Sequence, residues 1–284
     1  MLLGAHMSVA GGLVTALERG SQVGCQTMQI FTKNNTQWQA SALTQAIATQ
    51  FKEEWKKTSI HSIFAHASYL INLGSPDKEL YRKSTMALID ELQRCEKLGL
   101  SFLVLHPGAA MDRPVEEALD RIAKAIDFAF QQTAGFQVLL LLENTAGQGS
   151  SVGHTFEHLG TLIKSVHEKK RLGVCFDTCH AFAAGYDFRT KESYEKTFSH
   201  FDKVIGLPQL KAFHLNDSKK ELHCRVDRHE HIGKGQLGLS AFRLLLNDTR
   251  FSHIPMVLET PKGKECLEDI ENLKVLRSLI QGSK

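Results

Sequence analysis

Short apolar runs punctuate the chain, and a longer stretch with helically spaced apolar positions follows each one. The runs are Leu2 to His6, Met28 to Thr32, Ile63 to His66, Phe102 to His106, Val138 to Glu143, Gly173 to Asp177, Leu210 to His214 and Met256 to Glu259. Val138-Leu139-Leu140-Leu141-Leu142 shows no polar alternation, the pattern of a strand covered on both faces. Between the runs, Leu88, Leu92 and Cys95 share one helical stripe, as do Leu119, Ile122, Ile126 and Phe130, and Phe156, Leu159, Ile163 and Val166. Gly99 and Gly135 stand where helices should stop, and Ser240 is placed to cap the helix carrying Phe242, Leu245 and Leu246. Strand–helix alternation repeated eight times predicts an α/β fold, a (β/α)8 TIM barrel formed by residues 1–284 as one domain. An open doubly wound sheet also alternates in this way; eight units in 284 residues favour closure.

Composition narrows the class. Hydrophobic residues at 42% and charged residues at 23% are ordinary globular usage, and the formal charge of +3 with a pI near 8.5 falls short of a basic nucleic-acid footprint. The opening Met1-Leu2-Leu3-Gly4-Ala5-His6 predicts neither a signal peptide nor an anchor, and no run approaches the roughly 18 apolar residues of a membrane span. Six cysteines without framework spacing predict reduced thiols in a cytoplasmic protein.

The candidate chemistry lies at the ends of the runs. Six in succession finish on a potential metal ligand: His66, His106, Glu143, Asp177, His214 and Glu259. In a parallel barrel the strand C-termini converge on one face, so these residues should meet there. His180, Asp227 and His229 follow in the same loops. Any one of them alone reads as a hydrogen-bonded rim residue. Packing four carboxylates together without cations, however, would cost several kcal/mol per charge. Five imidazoles and four carboxylates point to zinc, with manganese or iron as alternatives, and away from all-oxygen magnesium or calcium sites. Against three divalent ions the four carboxylates leave two positive charges, or one with a bridging hydroxide, a site suited to a phosphate. Cys175 is expected inside the barrel, Cys179 and His6 behind the ligands, and His231 outside the site.

The segments His66-Ala67-Ser68-Tyr69-Leu70-Ile71-Asn72-Leu73-Gly74, Gly173-Val174-Cys175-Phe176-Asp177-Thr178-Cys179-His180 and His214-Leu215-Asn216-Asp217-Ser218-Lys219, continuing to Asp227-Arg228-His229, resemble the endonuclease IV family. The likeness runs from Gly4-Ala5-His6 and Phe31-Thr32-Lys33-Asn34 to Leu258-Glu259-Thr260-Pro261. It implies a xylose-isomerase-like barrel with three zinc ions, manganese replacing zinc in part. The implied activity is cleavage of double-stranded DNA 5′ to an abasic site, leaving a 3′-hydroxyl and a 5′-deoxyribose phosphate, together with removal of blocked 3′ ends. By the same likeness His66, His106 and Glu143 hold one ion, Glu143, Asp177, His214 and Glu259 a second, and His180, Asp227 and His229 a third. Glu143 bridges, and Glu259 is a candidate orienter or base for the attacking water. The implied protein is a monomer without membrane attachment.

DNA contacts are expected from Lys33, Asn34 and Thr36, from Tyr69 and Leu70 as a wedge filling the gap left by a missing base, and from Lys219, Lys220, Arg225, Arg228 and Lys234. Two positions depart from the family. Thr36 stands where an arginine is frequent, and His223 where a glycine is common. The rival readings are a metal-dependent sugar isomerase or epimerase on the same barrel, which has no need of a third metal site, and a catalytically inactive DNA-binding barrel.

Overall fold

Strands β1 (Leu3–Met7), β2 (Thr27–Phe31), β3 (Ser62–His66), β4 (Phe102–Leu105), β5 (Leu139–Glu143), β6 (Leu172–Asp177) and β7 (Leu210–His214) are parallel neighbours in a sheet that closes on itself. After β7 the chain makes a two-stranded antiparallel ribbon, β8 (Asp217–Ser218) and β9 (His229–Glu230). It then supplies the eighth barrel strand, β10 (Met256–Leu258), between β7 and β1. The computed structural model describes residues 1–282. All eight predicted strands are present, with His106, Glu259 and Thr32 each one residue past the strand end.

Nine α-helices accompany the strands among the described residues: α1 (Leu13–Val23), α2 (Gln45–Trp55), α3 (Lys78–Leu98), α4 (Val115–Gln132), α5 (Phe156–Ser165), α6 (Thr178–Ala184), α7 (Lys191–Val204), α8 (Gly238–Leu246) and α9 (Leu267–Leu279). Their apolar stripes bury Leu88, Leu92, Ile122, Ile126, Leu159 and Phe242 between helix and sheet, within one continuous core. Each such side chain is worth about 1.5–3 kcal/mol of transfer free energy.

Gly99 ends α3 in the left-handed region at φ 72, with its N–H donating to Cys95 and Glu96 carbonyls, a conformation that favours glycine. At α4 the stop comes earlier, because Thr133 takes the cap and Gly135 follows outside the helix. Ser240 is not an N-cap. The helix α8 already begins at Gly238, and the N–H groups of Leu237 and Gly238 donate to the carboxylate of Asp217, far away in sequence.

Inside the barrel lies a second, smaller apolar layer of Phe64, Val104, Leu141, Cys175, Ala212 and Val257. Each of these precedes a predicted ligand by two residues, and a strand repeats its face every second residue. The layer is therefore a floor, and His66, His106, Glu143, Asp177, His214 and Glu259 continue the same inward-facing rows above it.

Candidate metal centre

Strand register brings the donors level. Asp177 pairs directly with His214 across β6 and β7, and Glu143 with Cys175 across β5 and β6. His180 enters from the first turn of α6, where the Asp177 side chain caps the helix by accepting from the His180 N–H at 2.7 Å. Asp227 comes from the arm that joins β8 to β9, and His229 is the first residue of β9. Ligand atoms lie within 4.8 Å of one another in three sets that together use all nine predicted donors: His66, His106 and Glu143; Glu143, Asp177, His214 and Glu259; His180, Asp227 and His229.

Glu143 joins the first two sets. Its Oε2 is 3.0 Å from His66 Nε2 and 3.1 Å from His106 Nε2, while Oε1 is 2.9 Å from His214 Nδ1. In the third set His180 Nε2 is 3.1 Å from Asp227 Oδ2, and His229 Nε2 is 3.2 Å from Asp227 Oδ1.

The other ring nitrogen shows what those contacts are for. Nδ1–H of His66 donates to the Ala67 carbonyl at 2.7 Å, that of His180 to Asn144 at 3.0 Å and that of His229 to Glu259 at 3.0 Å. With the N–H used in this way, a neutral imidazole would turn a lone pair toward a carboxylate. Such a contact holds only if a proton or a metal ion lies between. His229 Nε2 is buried and has no properly directed hydrogen bond among the described residues, despite its 3.2 Å approach to Asp227. The donors fit a borderline divalent cation such as zinc.

The electrostatics of the donors agree with this. Burial alone would lower His180 and His214, but Asp177 and Asp227 beside His180, and Cys175, Glu259 and Glu143 beside His214, hold both well above the usual imidazole range. Burial is likewise outweighed at His229, which Asp227 and Asp177 push up to about 9. Glu143 is fully enclosed, yet His214, His106 and His180 hold it well below the carboxylate range.

Three supporting side chains escape sequence reasoning. Gln29, on β2 opposite Phe64, donates from Nε2 to Glu259 Oε1 at 2.6 Å and to His6 Nδ1 at 2.8 Å, and its Oε1 accepts from His214 Nε2 at 2.8 Å. Asn216 donates to Asp177 Oδ2 and accepts from the Glu259 N–H, at 2.7 and 2.8 Å. Asn144 exchanges two hydrogen bonds with the Asp177 backbone. Asn144 directly after Glu143, Asn216 two residues after His214, and Gln29 inward on an apolar strand were the available signals.

The remaining expectations divide. Cys175 lies in the inner layer. Cys179 is within ligand distance of Asp177 and His229, but burial pushes its thiol up to about 12 and its Sγ faces the Arg228 carbonyl. His6 sits behind Glu259 at 3.5 Å, and His231 pairs with Asn272, outside the donor sets.

Tyr69 is 58% exposed on the loop after β3, its ring 5.2 Å from that of His66, with Leu70 half-buried beside it. A cavity of about 450 Å³ opens there, lined by Tyr69, Asn72, His106, Gln148, His180, Asp227 and Arg228 among others. Asn34 and Thr36 are exposed, and Asn34 Oδ1 accepts from the Thr36 N–H and hydroxyl. Lys219, Lys220, Arg225, Arg228 and Lys234 are exposed on or beside the arm. Lys33 corrects the prediction of a free phosphate contact. Its ammonium is buried, 2.6 Å from Asp90 and 3.6 Å from Glu91 on α3, and an ion so paired is not available to DNA. His223, at the position where a glycine is common, adopts φ 66, a conformation that glycine reaches without the strain a side chain brings.

Fold and rim together define a xylose isomerase-like TIM barrel with a cluster of His, Asp and Glu metal donors. The family model of that description, AP endonuclease 2, matches residues 17–279. The chain belongs to the endonuclease IV family. It is 50% identical over 280 residues to a probable endonuclease 4 of Chloroflexus aurantiacus, covering 99% of this chain and 98% of that one. The solved endonuclease IV of Thermus thermophilus superposes with a TM-score of 0.87 at 36% identity, over 98% of each chain. A D-tagatose 3-epimerase-like protein also superposes, with a TM-score of 0.74 over 99% of this chain and 98% of that one, but at 18% identity it shows the shared fold alone.

Proposed function

We propose that this chain is a zinc-dependent apurinic/apyrimidinic endonuclease of DNA repair that cuts the phosphodiester 5′ to an abasic site. The products are a 3′-hydroxyl and a 5′-deoxyribose phosphate, and the same centre clears blocked 3′ ends. The observation that carries this reading is the third donor set, His180, Asp227 and His229, built by an arm beside the open cavity. A sugar isomerase has no use for it.

Zinc held by the three sets would bring the pKa of a shared water toward neutrality and offset charge on the leaving oxygen. Glu143 ties the first two sets together through its two oxygens and so fixes their separation. Glu259 keeps Oε2 3.1 Å from His214 Nδ1 while Oε1 is held by Gln29. It is thereby oriented to position the attacking water. Asp227, Arg228 and Tyr69 line one cavity, where a nucleotide turned out of the duplex can lie. No helix among the described residues is long and apolar enough to cross a membrane.

The test is a 5′-labelled duplex with one abasic site, incubated with protein purified without added metal or magnesium. Incision with an upstream product that a polymerase extends is the expected result. An intact duplex, or a product blocked at its 3′ end, would overturn the proposal.

A further inference from the structure

Gln29 is the polar residue in Met28-Gln29-Ile30, in register with Phe64 of the apolar floor. It is completely buried. A buried amide needs partners for both its oxygen and its N–H groups. All are met by groups of the site: Glu259 Oε1 and His6 Nδ1 accept, and His214 Nε2–H donates. The orientation of the amide is determined, since a carboxylate oxygen 2.6 Å away can only accept.

We infer that Gln29 is a positioning residue whose single amide selects both the nitrogen of His214 and the oxygen of Glu259 that face the four-donor set. With His214 Nε2–H donating to Gln29, Nδ1 is the nitrogen turned to Glu143 and Glu259, at 2.9 and 3.1 Å. With Glu259 Oε1 accepting from Gln29, Oε2 is the oxygen left toward the centre. Two ligands of one set thus share one orienting group. Apolar neighbours can fill space around His214 and Glu259, but they cannot distinguish one ring nitrogen or one carboxylate oxygen from the other. The inference rests on reading the set as a metal site, and its test separates the two.

Gln29→Leu removes the hydrogen bonds to His214, Glu259 and His6, whereas Gln29→Glu still accepts from His214 but cannot donate to Glu259 when ionised. Metal-free protein is titrated with cadmium(II) against a competing chelator, and the histidine nitrogens are followed by long-range ¹H–¹⁵N spectra. In Gln29→Leu one equivalent is expected to weaken about 10–100-fold, as for other lost outer partners of metal ligands, and the slowly exchanging His214 Nε2–H signal to disappear. Gln29→Glu is expected to keep that signal. Gln29→Leu with wild-type cadmium affinity, or loss of the signal in Gln29→Glu, would overturn the inference. Should Gln29→Leu not fold, the Gln29→Glu spectrum decides. Wild-type protein that takes up no cadmium would instead overturn the metal-site reading.

Discussion

Asp227 places Oδ2 3.1 Å from His180 Nε2, linking the arm between β8 and β9 to the first turn of α6. Its other oxygen faces His229 at 3.2 Å, so one carboxylate completes the third donor set. Asp227→Ala should lose one metal equivalent, with affinity there falling more than the roughly 10–100-fold typical of an outer partner, while the other equivalents and the fold remain. Metal analysis after dialysis reads this directly. Equal loss from every site, or from none, would reject the assignment.

Metal uptake should release protons. The groups around them raise His180 and His214 well above the ordinary imidazole range and His229 to about 9, and ligation requires each to give up the proton on the nitrogen it uses. Affinity should therefore fall as pH drops from 9 toward 6. Calorimetric zinc titrations at pH 7, in buffers of different ionisation enthalpy, should show release of more than about one proton per chain. Heats independent of the buffer would contradict the charge pattern described here.

Lesion recognition should depend on the exposed Tyr69 and its neighbour Leu70. Aromatic stacking on a base is worth about 1–3 kcal/mol, so replacing both residues by alanine should weaken binding to abasic duplex about tenfold. Affinity for undamaged duplex and metal content should stay near wild type. Equal losses on damaged and undamaged DNA in a binding assay would leave recognition to the cavity alone.

Far from the centre, Asp248 accepts hydrogen bonds from Tyr194 at 2.8 Å and from Arg250 Nε at 2.9 Å. Partial burial would raise its carboxyl, but those two partners hold it below the usual range. A carboxylate with a lowered folded pKa stabilises fully above its unfolded value of about 3.9 and loses that contribution as pH falls through the folded value. Asp248→Asn should then cost about 1.5–3 kcal/mol at pH 7 and progressively less below pH 4. Urea unfolding of both proteins across that range checks it, and a pH-independent difference would argue against the ionised pair.

The barrel and the donors were legible in the chain because both depend on local signals. Buried parallel strands leave unbroken apolar runs, and a histidine or carboxylate closing such a run is chemically out of place unless it has a task. What was not legible depends on distant partners. Gln29 is an ordinary amide until His214 and Glu259 stand beside it, and Lys33 looks like a free cation until α3 brings Asp90 and Glu91 to it. Ser240 looked like a cap because nothing local announces that Asp217 receives the N–H groups of Leu237 and Gly238.

Asp217 also accepts from the N–H groups of Gly233 and Gly235, so one carboxylate fastens the whole return of the arm to the barrel. This makes the molecule modular. Seven of the nine donors belong to the repeating strand–helix units, and only Asp227 and His229 lie on a segment that the barrel does not need for closure. Asp227 and His229 are thus an accessory that insertion could add to, or deletion remove from, an existing two-set barrel in a single event, with His180 of α6 left in place as the one donor of the third set that the barrel itself supplies. The history of such a site would be recorded as a change in length between β7 and α8, while the rest of the rim stayed as it was.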